Sequence, residues 1–87
     1  KYPVSGEINR TVSDPHSVIS KIESHYKGSE IGTDHIDGLS MEFSNWRFNL
    51  RPSNTEPVIR LNLETRNDKA LLEQKTLELL SLIESFQ

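Results

Sequence analysis

At 87 residues, 33% of them hydrophobic and 26% charged, the chain is sized for one folded domain spanning residues 1–87, and is short for an enzyme that encloses its substrate within its own walls. A formal net charge of -3 argues against broad electrostatic binding to nucleic acid or an anionic membrane, both of which need a basic face, so any anion must be held by local donors. Without a cysteine, a run of about 18 apolar residues or a basic-then-apolar leader, neither disulfides, nor a spanning helix, nor a retained signal peptide is expected, and the cytoplasm is the expected setting.

The stretch from Gly6 to Val12 reads as a first strand with Ile8 and Val12 inward; the sequon Asn9-Arg10-Thr11 within it is of a kind that arises often by chance. Ser13-Asp14-Pro15 is a helix start, a capping side chain followed by a proline in the first turn. Val18, Ile19, Ile22 and Tyr26 then form one stripe, and Gly28 stops the helix. From there the period changes to two. Asp37-Gly38 is expected to join a strand over Ile31–Ile36 to one over Leu39–Phe43 through a two-residue turn of the positive-φ kind, and Ser44-Asn45 turns the chain into Trp46–Arg51. Leu39, Met41 and Phe43 alternate with polar residues, as do Trp46, Phe48 and Leu50, and then Ile59, Leu61 and Leu63. A second helix is predicted from Asn67-Asp68 to about Ser85, with Leu71, Leu72, Leu79, Leu80, Ile83 and Phe86 on its apolar stripe. The sum is an α+β fold: an antiparallel sheet of four or five strands, two helices on its apolar face, and a polar face left open to a ligand.

The segment Arg51-Pro52-Ser53-Asn54-Thr55-Glu56-Pro57 concentrates the groups that grip a phosphate. Arg51 offers a planar fork of donors, Ser53 and Thr55 offer hydroxyls, and Asn54 offers an amide and tolerates a left-handed backbone that would turn N–H groups inward. Pro52 and Pro57 stiffen the ends and are expected to stop the flanking strands from pairing through the loop. Arg47, Arg51 and Arg60 share a parity and should lie on the open face, with Arg51 at the loop entrance and Glu56 and Arg60 as secondary contributors. No glycine-rich run ends in Gly-Lys-Ser or Gly-Lys-Thr, so this is not a nucleotide-binding P-loop. His16, His25 and His35 are scattered and read as surface residues, no serine sits in a nucleophile elbow, and no Asp-x-Asp-Gly cluster offers a magnesium site. These residues can hold a phosphate and lack the parts to transfer one, so no catalytic or metal-ligating residue is assigned.

Residues 37–66, with Arg51 to Pro57 at their centre, closely resemble the C-terminal domain of the α-D-phosphohexomutases, the family that includes phosphomannomutase and phosphoglucomutase; Gly6-Glu7-Ile8-Asn9 resembles the opening strand of that domain. The resemblance implies the fourth domain of a four-domain isomerase, TATA-binding-protein-like in fold, and most like a bacterial phosphomannomutase. The full enzyme would interconvert hexose 6-phosphate and hexose 1-phosphate using a phosphoserine and Mg2+ carried by other domains of the same enzyme, together with a hexose 1,6-bisphosphate activator. Arg51, Ser53, Asn54 and Thr55 would clamp the phosphate that is not reacting. By itself the chain should be inactive. A phosphoglucosamine mutase domain and a free-standing anion-binding module are the alternatives. A nucleic-acid-binding sheet would need aromatics on the open face, whereas parity turns Phe43, Trp46 and Phe48 inward.

Overall fold

The computed structural model describes residues 3–87. Five strands and two helices follow in the order β1 (Ile8–Thr11), α1 (Pro15–Tyr26), β2 (Gly32–Asp34), β3 (Leu39–Glu42), β4 (Trp46–Pro52), β5 (Val58–Thr65), α2 (Lys69–Phe86). The strands form one antiparallel sheet in the order β1-β5-β4-β3-β2. The chain must therefore cross from one sheet edge to the other between β1 and β2, and α1 makes that crossing.

Both helices start where a side chain can satisfy the orphan donors of a first turn. Asp14 Oδ1 accepts the Ser17 N–H at 3.2 Å, with Pro15 at the first helical position, and Asp68 Oδ1 accepts the Leu71 N–H at 2.9 Å. Both dock on the same face of the sheet. Val18, Ile22 and Tyr26 of α1 and Leu79 and Ile83 of α2 are buried against Leu39, Met41, Phe48, Leu50, Ile59, Leu61 and Leu63. Phe43 and Trp46 stack at 4.3 Å across the Ser44-Asn45 turn, and Tyr26 meets both edge-on. The period-two alternation is thus the burial pattern, and the opposite face carries Arg47, Asn49 and Arg51 of β4 and Arg60, Asn62 and Glu64 of β5. Among the described residues no helix is long and apolar enough to cross a membrane.

The structure corrects the reading of the Asp37-Gly38 turn. Pairing ends at Asp34↔Ser40, leaving a five-residue loop over residues 35–39, and β2 is only Gly32–Asp34. Asp34 Oδ1 accepts the Ile36 N–H at 3.2 Å, bending the backbone out of the ladder early. Ile31 and Ile36, 69% and 93% exposed, flank this edge strand rather than extending it. Asp37 has negative φ and only Gly38 is left-handed, at φ +72, so the turn is not of the double positive-φ type. The loop is held by Asn49, whose Nδ2 donates to the Asp37 carbonyl at 2.7 Å and to Ser40 Oγ at 3.0 Å.

Candidate functional site

The β4–β5 hairpin carries the loop. Ser53 N–H donates to the Val58 carbonyl at 2.9 Å, which makes 53 and 58 a hydrogen-bonded pair and leaves Asn54-Thr55-Glu56-Pro57 as the connection. Contrary to expectation, Pro52 does not end this ladder, since it pairs with Ile59. It lies one residue from the bonded 53/58 pair, so its nitrogen faces β3, where the missing N–H helps to end the β3–β4 pairing at Leu39↔Leu50. The expected left-handed backbone at Asn54 is also absent: Asn67 is the one non-glycine residue with positive φ among the described residues. The loop gains its bend instead from Ser53, whose Oγ accepts the Thr55 N–H at 3.3 Å. That bond uses a lone pair of Ser53 and leaves its hydroxyl proton free to donate. The Asn54 N–H likewise has no intramolecular partner among the described residues.

Arg51 and Arg60 stand directly opposite one another across β4 and β5. Like charges in that relation repel, and the structure places carboxylates against them. Arg51 Nη2 lies 3.4 Å from Glu7 Oε1, Arg51 Nη1 lies 3.6 Å from Asp37 Oδ2, and Arg60 Nη1 lies 3.7 Å from Glu7 Oε2. Glu7 reaches this position because the segment before β1 runs along β5. Thr65 N–H donates to the Pro3 carbonyl at 3.0 Å, Ser5 N–H to the Leu63 carbonyl at 2.9 Å, and Gly6 at φ +73 turns the chain. At distances this long and with partly exposed side chains, each pair holds the guanidiniums loosely and a better acceptor can displace it.

Around these groups lies an open pocket of about 690 Å³. Arg51, Ser53, Asn54, Thr55 and Arg60 all line it, so five of the six residues selected from the sequence converge; Glu56 is exposed and lies outside the lining. Arg47 is elsewhere, four residues along β4, about 13 Å away at roughly 3.3 Å per residue. The remaining lining was not assigned from the sequence: His16 and Ile19 from α1, and His35, Asp37, Gly38 and Leu39 from the β2–β3 connection. All three histidines are exposed, as expected, yet His16 and His35 share this pocket. Parity carried the signal for Glu7, which lies two residues before Asn9, the partner of Arg60 in the ladder. Among the described residues no group of three or more His, Cys, Asp or Glu side chains could hold a metal ion. A planar guanidinium, two hydroxyls, an amide and a free backbone N–H around one cavity suit a tetrahedral oxyanion.

Comparison with known proteins identifies a family. Residues 7–79 match the family model described as phosphoglucomutase/phosphomannomutase, C-terminal domain. A phosphomannomutase of Salmonella montevideo is 50% identical over 84 residues, covering 97% of this chain and 18% of its own length. The phosphomannomutase of Escherichia coli K12 is 49% identical over 82 residues (94% of this chain, 18% of that protein), and the phosphohexose mutases protein of Xanthomonas campestris strain B100 is 49% identical over 83 residues (95% and 18%). A solved phosphoglucomutase/phosphomannomutase family protein from Burkholderia thailandensis shares the fold, with a TM-score of 0.67 at 24% identity, over 97% of this chain and 18% of that one. The chain thus spans 18% of the length of the relatives it matches.

Proposed function

Since this chain belongs to the phosphoglucomutase/phosphomannomutase family through its C-terminal domain, we propose that it is the substrate-phosphate clamp of a larger phosphohexomutase. In this reading residues 1–87 form the C-terminal unit of an isomerase that moves a phosphoryl group between the 6- and 1-positions of a hexose, acting on a sugar phosphate of the cytoplasm. The carrying observation is that Arg51, Ser53, Asn54 and Thr55 converge with Arg60 on one open pocket. An incoming phosphate would take the Arg51 fork, the Ser53 and Thr55 hydroxyls and the Asn54 N–H, displacing Glu7 from the guanidinium. Clamping the phosphate that does not react holds the sugar's other end toward the chemistry, which lowers the entropic part of the barrier. Nucleophile, Mg2+ site and the hexose 1,6-bisphosphate step would belong to the rest of the enzyme, and this chain contributes binding and orientation only.

The test is an amide-shift titration of the 87-residue chain with mannose 6-phosphate. Shifts should centre on Ser53, Asn54 and Thr55; Arg51→Ala should weaken binding at least about tenfold, since a hydrogen bond to a charged group is worth roughly 1.5–3 kcal/mol, and Arg47→Ala should change it little. Arg51→Lys should recover part of the loss, keeping the charge without the planar fork. Equal, small effects at Arg47 and Arg51, with folding intact, would make the loop a structural turn.

A further inference from the structure

The pocket is too large for its anion. At about 690 Å³ it falls within the range of whole small-molecule sites, roughly 300–1,000 Å³, so a phosphate on Arg51 and the loop would leave most of it unfilled. What lines the remainder has its own chemistry. His35 is fixed by Glu23, whose Oε2 lies 3.0 Å from the imidazole Nε2. A carboxylate only accepts, so Nε2 carries the proton of that bond. The other ring nitrogen, Nδ1, meets no hydrogen-bonding partner among the described residues. It accepts in the neutral ring and donates in the protonated one, and a sugar hydroxyl complements either state. The same Glu23–His35 pair ties the β2–β3 loop to α1, and so fixes one pocket wall to the other. His16, one turn before Ile19 on α1, adds a second imidazole, and Ile19 itself supplies an apolar surface of the kind that the C–H face of a sugar covers.

We propose that His35, oriented by Glu23, together with His16 forms a sugar subsite in the phosphate pocket, binding hydroxyls of the hexose whose phosphate sits on Arg51. This rests on the phosphate-clamp reading and adds specificity to it. His35 and His16 would be binding residues, and Glu23 a positioning residue acting through His35.

Titrating the 87-residue chain with inorganic phosphate and with mannose 6-phosphate, following loop amides and imidazole signals by NMR, separates the two readings. Mannose 6-phosphate should bind at least about fivefold more tightly than phosphate, as expected for two added hydrogen bonds of modest net worth, and should shift the His35 ring. His35→Ala should erase that preference while leaving inorganic phosphate binding unchanged. Glu23→Ala should also erase it, and Glu23→Gln, which keeps an accepting oxygen, should retain it. Equal affinity for the two ligands in the parent chain, or equal weakening of both by His35→Ala, overturns the subsite and leaves the clamp standing. If Arg51→Ala leaves inorganic phosphate binding intact, the clamp itself fails. No saturable shift at the loop with either ligand overturns both.

Discussion

Gly38→Ala should be among the most damaging single-methyl changes in this domain, and Gly6→Ala provides its control. Both glycines hold nearly the same backbone, φ +72 and φ +73, so both substitutions incur the same left-handed strain, about 1–2 kcal/mol, and both are partly offset by a less flexible unfolded chain. Their surroundings differ. A Cβ at Gly6 meets nothing within 4 Å, whereas one at Gly38 would lie 2.3 Å from the Leu50 carbonyl oxygen and 3.0 Å from Arg51 Cα. Those atoms belong to the backbone of an interior strand and cannot give way, so the loop must lift. Lifting breaks the 2.7 Å bond from Asn49 Nδ2 to the Asp37 carbonyl and draws Asp37 away from Arg51. With the unfolded-chain offset taken at both sites the net strain is about 1 kcal/mol, and adding about 1 kcal/mol for the lost hydrogen bond gives a loss of about 2 kcal/mol at Gly38 against about 1 kcal/mol at Gly6. In a domain of this size each kcal/mol moves Tm by about 4–8 °C. Urea and thermal unfolding of the two variants side by side measure the difference. Because the loop also carries His35, Gly38→Ala should weaken mannose 6-phosphate binding in conditions where the protein remains folded. Coincident unfolding curves for the two variants would refute the close approach of this loop to β4.

Three further outcomes follow from the charges. Glu7→Gln removes the carboxylate that bridges Arg51 and Arg60, so inorganic phosphate should bind more tightly at low salt, with the gain shrinking in concentrated NaCl; weaker binding would mean that Glu7 organises the arginines more than it competes for them. Burial would raise the Glu78 carboxyl, but the Tyr26 hydroxyl and the Lys75 ammonium outweigh it and hold it below its ordinary 4.5. A depressed carboxyl contributes stability at neutral pH that is lost as pH falls through and below its ordinary range; Glu78→Gln should flatten that part of the acid unfolding profile, and an unchanged profile would assign the acid sensitivity to other groups. Burial, and then the bond to Glu78, push the Tyr26 phenol far above 10, so in a Tyr2→Phe background tyrosinate absorbance should appear only well above pH 10 and coincide with loss of structure as the pH rises.

The layout of the fold was legible because each element declares its period. Alternation over Trp46–Arg51 and Ile59–Glu64 gave the buried face of those residues, and Asp14 and Asp68 marked the helix starts through local capping chemistry. The turns were less legible, because their geometry depends on what they pack against. Asp37-Gly38 has the dipeptide of a tight hairpin, yet Asp34 bends the chain early, Asn49 of the neighbouring strand holds the loop, and Gly38 is needed for its approach to Leu50. Asn54 could have been left-handed, but the Ser53 hydroxyl closes the loop without it.

The same distinction separates the two halves of the pocket. The donors from Arg51 to Thr55 are contiguous, so their chemistry could be recognised in a short stretch of sequence without knowing the topology. Their surroundings arrive from elsewhere: Glu7 on the segment before β1, His16 on α1, His35 and Asp37 on the β2–β3 loop. Only the order β1-β5-β4-β3-β2 brings these together, since it seats β1 beside the strand that follows the loop and sends α1 back across the sheet. If the proposed clamp and sugar subsite hold, the residues that would tune the charge and contact the sugar are each attached to a different element, so substrate preference should be sought by substituting Glu7, His16 and His35 one at a time.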